Sequence, residues 1–173
     1  SSGGDGFDSN GSLTISGGTV VVGTANTADN QPLDADGTIT ISGGTVLAAG
    51  GSSMGMNLSA SQTCVTFGAS GMGGFGSSAI TKGSAISIQD ASGTTVYSCT
   101  ALCNAGFVFF SSPALTDGTT YTLTGGSSTL TADAQTGSIS SGMGGMGGPG
   151  GQMPDGQFPG GNGQRPSMPG NEQ

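Results

Sequence analysis

Asp8-Ser9-Asn10-Gly11-Ser12-Leu13-Thr14-Ile15-Ser16-Gly17-Gly18-Thr19-Val20 returns 26 residues later as Asp34-Ala35-Asp36-Gly37-Thr38-Ile39-Thr40-Ile41-Ser42-Gly43-Gly44-Thr45-Val46. A period between roughly 20 and 50 residues is the signature of units that bury their apolar faces by stacking on one another. Within each copy Leu13 and Ile15, or Ile39 and Ile41, alternate with Ser and Thr. That is the two-residue period of a half-buried strand. The pairs Gly17-Gly18 and Gly43-Gly44 separate two apolar stretches, where the chain must turn a corner with φ > 0 and no Cβ. A strand, a glycine corner, a second strand and a polar arc predict an all-β chain. The expected architecture is a right-handed parallel β-helix, a β-solenoid of 26-residue coils with equivalent residues roughly 4.8 Å apart.

Composition points the same way. With 37 glycines, no tryptophan and only 7% charged residues, the chain is too glycine-rich for an ordinary mixed domain. The formal net charge is −8, and Lys82 and Arg165 are the sole cations. Nucleic acid, whose phosphates must be met by clustered Lys and Arg, is excluded as a partner. No apolar run approaches the roughly 18 residues of a membrane span. Because the first copy of the repeat is under way almost at Ser1, the chain reads as a processed or truncated C-terminal piece of a secreted protein.

Three zones follow. Residues 1–83 carry the repeat, with Met54 to Phe67 as an imperfect third coil. Residues 84–141 show hairpin signals, among them Ala85-Ile86-Ser87-Ile88, the turn Asp90-Ala91-Ser92-Gly93, and Thr95-Val96-Tyr97. Phe107-Val108-Phe109-Phe110 and Thr120-Tyr121-Thr122-Leu123 add strands, and the zone is expected to cap and continue the solenoid. Residues 142–173 form a Gly/Pro/Met-rich extended tail, anchored on the solenoid wall or a neighbouring subunit through Met143, Met146, Met153, Phe158 and Met168.

Stacking two copies in register also stacks acids on acids. Asp8 falls beside Asp34 and Asn10 beside Asp36, with Asp5 and Asp29 close in the chain. Calcium relieves such a conflict, because it accepts six to eight oxygens from carboxylates, amides and backbone carbonyls in flexible geometry. Asp5, Asp8, Asn10, Asp29, Asp34 and Asp36 are therefore the candidate calcium ligands. The competing explanation is that these residues close turns by hydrogen bonds to their own backbone. They do not form an EF-hand, since no glutamate closes either loop.

Catalysis finds no machinery. With no histidine there is no imidazole base, and no Ser or Cys has the partner a nucleophile requires. No catalytic residue is assigned. Cys64, Cys99 and Cys103 are an odd number for a secreted chain. On one continuous strand Cys99 and Cys103 would stand roughly 13 Å apart, so a bridge between them needs a turn at Ala101-Leu102. Zinc lacks a four-ligand set.

Gly4-Asp5-Gly6-Phe7-Asp8-Ser9-Asn10-Gly11, the two Ile-Ser-Gly-Gly-Thr segments, Ser111-Ser112-Pro113-Ala114-Leu115, Gly118-Thr119-Thr120-Tyr121-Thr122-Leu123 and the Gly/Met/Pro tail together resemble one bacterial family. It is the secreted carbohydrate-binding β-helix proteins of firmicutes, and the resemblance spans nearly the whole chain. It implies a surface-associated, extracellular β-helix that holds calcium at Asp5, Asp8, Asn10, Asp34 and Asp36. Such a protein binds plant or acidic, uronate-rich polysaccharide without cleaving it. Cys99 and Cys103 depart from the pattern. The other class compatible with the residues is a structural subunit, a homo-oligomer joined head to tail into a filament, each tail docking on the next copy. Tyr97 and Tyr121, the two tyrosines, fall at strand positions where core packing is expected of them.

Overall fold

In the computed structural model the described residues are 4–25, 30–51, 57–68 and 79–140. Asp29, the start of the expected third coil and the tail of residues 142–173 lie outside them. The strands are β1 (Phe7–Ser9), β2 (Leu13–Gly23), β3 (Leu33–Ala35), β4 (Ile39–Gly50), β5 (Asn57–Gly68) and β6 (Ala85–Gln89). They continue with β7 (Thr95–Thr100), β8 (Phe107–Ser111), β9 (Thr120–Gly125), β10 (Ser128–Asp133) and β11 (Gln135–Ser140). The all-β expectation is met.

The repeat pairs as its period dictates. β1 and β3 form a two-stranded parallel sheet with Phe7 opposite Leu33, Asp8 opposite Asp34 and Ser9 opposite Ala35. β2 and β4 run parallel with Leu13 opposite Ile39, Thr14 opposite Thr40 and Ile15 opposite Ile41. The ladder shifts at the glycine corner and resumes with Thr19 opposite Thr45.

The architecture is nevertheless not a parallel β-helix, and that expectation is corrected here. Three sheets are formed among the described residues, and antiparallel pairing dominates beyond the repeat. β5 begins like a third copy, parallel to β4 with Ile39 opposite Leu58, but β8 then enters between the second halves of β4 and β5, antiparallel to both. β11 closes the far side of β5, also antiparallel, giving the mixed sheet β11-β5-β8-β4-β2. The hairpin read at Asp90–Gly93 is present between β6 and β7, within an antiparallel sheet ordered β10-β9-β6-β7. Instead of continuing a solenoid, residues beyond 84 thus divide between a second sheet and two strands of the first.

The physical reason lies in Phe107-Val108-Phe109-Phe110. All four side chains are buried, alternately on opposite faces of the mixed sheet. Phe107 and Phe109 join Ile15, Leu33, Ile39, Ile41, Val46 and Leu58 in one core. Val108 and Phe110 join Leu47, Val65 and Phe67 in another, with Ile86, Ile88, Tyr121 and Leu123 of the antiparallel sheet. A strand apolar on both faces is stable only with layers above and below, so β8 takes the centre and displaces a third parallel copy.

Glycine matters most at the corner. Gly18 and Gly44 have φ of 81° and 89°, as the sequence requires. A Cβ on Gly44 would also lie 2.7 Å from the Gly18 carbonyl oxygen, whereas one on Gly18 meets nothing within 4 Å. Gly18→Ala is expected to cost roughly 1–2 kcal/mol through backbone strain alone. Gly44→Ala should cost that and about a further 1–3 kcal/mol of overlap. Urea unfolding of the two variants measures the difference, and equal costs would show that the two corners do not stack.

Candidate functional site

The acids meet where the two-stranded sheet presents the starts of both repeats. Parallel pairing sets Asp8 directly beside Asp34, at the strand spacing of roughly 4.8 Å between backbones. The following turn is held by the Asp36 N–H donating to the Ser9 carbonyl at 3.0 Å and the Gly37 N–H donating to the Gly11 carbonyl at 2.8 Å. Asn10 lies between those two contacts, exposed at the bend after β1. From the other end, Asp5 accepts a 2.7 Å hydrogen bond from the Gln31 backbone N–H through its Oδ1. Gln31 is one repeat length from Asp5, so this contact is another rung of the same register.

The electrostatic consequence falls on Asp34. Burial is the first cause raising its carboxyl above the ordinary value of 3.8, and the like charges of Asp5, Asp8 and Asp36 raise it further. A hydrogen bond to the Ala35 backbone pulls the other way, and among the described residues no cation contributes. Asp5, Asp8, Asp34 and Asp36 thus form one electrostatic group. Among the described residues no group of three or more His, Cys, Asp or Glu side chains is placed to hold a metal ion. Carboxylates alone do not complete a cation's shell here.

Two features of the neighbourhood are not evident from the sequence. Gln31, whose backbone binds Asp5, has a buried Oε1 with no hydrogen-bond donor among the described residues. An orphaned buried acceptor costs about 1–3 kcal/mol, and an oxygen of this kind is what a hard cation uses. The one signal for it is the repeat itself, which sets position 31 against position 5. The second feature is Phe7, 41% exposed although paired with the buried Leu33. Its ring shares a face with Leu33 and so projects away from the face on which Asp8 and Asp34 stand side by side.

The tyrosines are structural. Tyr121 is buried and its hydroxyl accepts the Thr116 N–H at 3.0 Å. Tyr97 packs on Phe110 with ring centroids 4.9 Å apart. Cys64, Cys99 and Cys103 are all free thiols. Cys64 donates to the Gln135 carbonyl, and burial pushes its thiol up to about 12. Cys103 donates to the Ala49 carbonyl, and burial raises it as well. These are inert core groups, not nucleophiles. No helix is long and apolar enough to cross a membrane among the described residues.

No protein-family model, no curated protein and no solved structure matches the chain.

Proposed function

We propose that the protein is an extracellular, non-catalytic module whose paired acids bind calcium and, through it, a uronate-bearing polysaccharide in surface attachment. The observation that carries this reading is the in-register pairing of Asp8 with Asp34, four interacting carboxylates without a compensating cation. Asp5, Asp8, Asp34 and Asp36 would be the charged ligands. Asn10 and Gln31 would add amide oxygens, and the glycine-rich bends would add backbone carbonyls. When bound, calcium would neutralise the acids and offer open positions to a sugar carboxylate. A polyanion would otherwise be repelled by a chain of net charge −8.

Retention on immobilised polygalacturonate tests this. The protein should bind in millimolar calcium and elute with chelator. Asp34→Asn should weaken calcium-dependent retention, because it removes one of the paired carboxylates. Retention that ignores chelator would refute the calcium-bridged mode.

A further inference from the structure

The outer strand β2 runs 11 residues, Leu13-Thr14-Ile15-Ser16-Gly17-Gly18-Thr19-Val20-Val21-Val22-Gly23. β4 pairs with one side of it, and among the described residues no strand pairs with the other. It contains no charge and no proline, two of the devices by which proteins keep a sheet edge from pairing, and its pairing with β4 is irregular only at the glycine corner between Ile15 and Thr19. On a chain of net charge −8, an uncharged stretch of this length is where two copies can approach with least repulsion.

The glycines single out the same edge. Gly37 and Gly43 of the second repeat are required by close packing on the first. A Cβ on Gly43 would lie 2.5 Å from the Ser16 carbonyl oxygen, and one on Gly37 would lie 2.7 Å from Ser12 Oγ. Their equivalents in the first repeat have no such neighbour. A Cβ on Gly17 meets nothing within 4 Å, and Gly17 does not have positive φ. Among the described residues no packing calls for glycine there, and the position lies in the corner where the β2–β4 ladder is irregular from Ser16 to Thr19. In a strand, a glycine marks a bulge or the close approach of another backbone, and the open space at Gly17 leaves room for the second beside the first.

We propose that β2 pairs antiparallel with β2 of a second copy about a two-fold axis, making a continuous sheet across a symmetric dimer. Side-chain orientation selects the register. Leu13, Ile15, Val20 and Val22 all face the core that contains Phe109, while Val21 faces the other. A one-residue slip would put apolar groups on the wrong face. The register that keeps faces matched sets Leu13 opposite the partner's Val22, Ile15 opposite the partner's Val20, and Ser16 opposite the partner's Thr19. Gly17 then meets the partner's Gly18, and the axis passes between them. The glycine corners of the two copies face each other where the strand bends, so both bends are shared by the symmetry. An isologous contact of this form closes at two copies and does not propagate.

Sedimentation of the full chain decides the matter. The wild type should show a mass twice the chain's 16.4 kDa at high concentration and dissociate on dilution. Gly17→Val, which meets no obstacle within the monomer, should keep the wild-type circular dichroism and thermal midpoint yet stay monomeric. Independently, the Ser16→Cys/Thr19→Cys double variant should oxidise to a covalent dimer on a non-reducing gel, with the wild-type thiols as background. The cross-link decides alone if Gly17→Val does not fold. A wild type monomeric at every concentration overturns the proposal. So does a dimer that survives Gly17→Val without forming the cross-link, or assembly that grows beyond two copies.

Discussion

Phe109→Ala should unfold most of the protein's stability margin, costing about 3–5 kcal/mol out of a total typically near 5–15 kcal/mol. Phe109 is 0% exposed and sits on β8 between Ala48 of β4 and Thr66 of β5. Its ring fills the core shared by both repeats, in contact with the cluster of Ile15, Leu33, Ile39, Ile41 and Leu58. Truncation leaves a cavity that the paired backbone on either side cannot collapse to fill. The effect also reports on the architecture. If the chain were a stack of parallel coils with a separate cap, this substitution would unfold the cap and spare the repeat. In the mixed sheet it should abolish one cooperative transition, seen as loss of both near- and far-ultraviolet circular dichroism at the same urea concentration.

Replacing Asp34 with Asn should stabilise the calcium-free protein at neutral pH and remove part of its pH dependence. The native carboxyl of Asp34 is raised above its ordinary 3.8 by burial and by three neighbouring acids. A raised acid contributes its full stability while protonated, below the unfolded value, and loses it as pH rises through the native value. In chelator the wild type should therefore become more stable on acidification from neutrality toward the unfolded carboxyl value, and Asp34→Asn should not share that gain. Asp90 works in a different window. Hydrogen bonds from Ser92 and Thr94 hold it below 3.8, so its contribution is lost only in stronger acid. The difference between wild type and Asp34→Asn, followed by thermal melting from pH 7 downward, isolates the acidic group from that background. A flat difference would mean that neither burial nor the neighbouring acids raise the Asp34 carboxyl.

The register of the repeat was legible because two 13-residue copies leave almost no freedom in how they stack. Asp8 with Asp34, Leu13 with Ile39, and positive φ at Gly18 and Gly44 all follow from it. The architecture was not legible, since two copies do not build a solenoid and the next strand need not obey their rule. Phe107–Phe110 announces a strand buried on both faces. Nothing local in it says that it will split β4 from β5, a choice made by the apolar faces available from distant segments. Phe7 misleads for the opposite reason. An aromatic residue on a strand suggests a core position, and Phe7 does share the face of the buried Leu33, but the core that covers Leu33 does not extend over its ring among the described residues. The acids at 5, 8, 34 and 36 could be placed together from spacing alone. Gln31 could not, because its role depends on an unpaired side-chain oxygen that only packing reveals.

The central claim is that register forces acids together and that calcium relieves them. Calorimetric titration of calcium into the wild type and into Asp34→Asn, paired with thermal melts, tests it directly. The wild type should bind with saturable heat. At a calcium concentration about 100 times the dissociation constant it should gain about 2.7 kcal/mol, a rise in midpoint on the order of 5–10 °C. Asp34→Asn should show weakened binding and a smaller shift. Absence of saturable binding to the wild type, or an identical response from Asp34→Asn, would contradict the account.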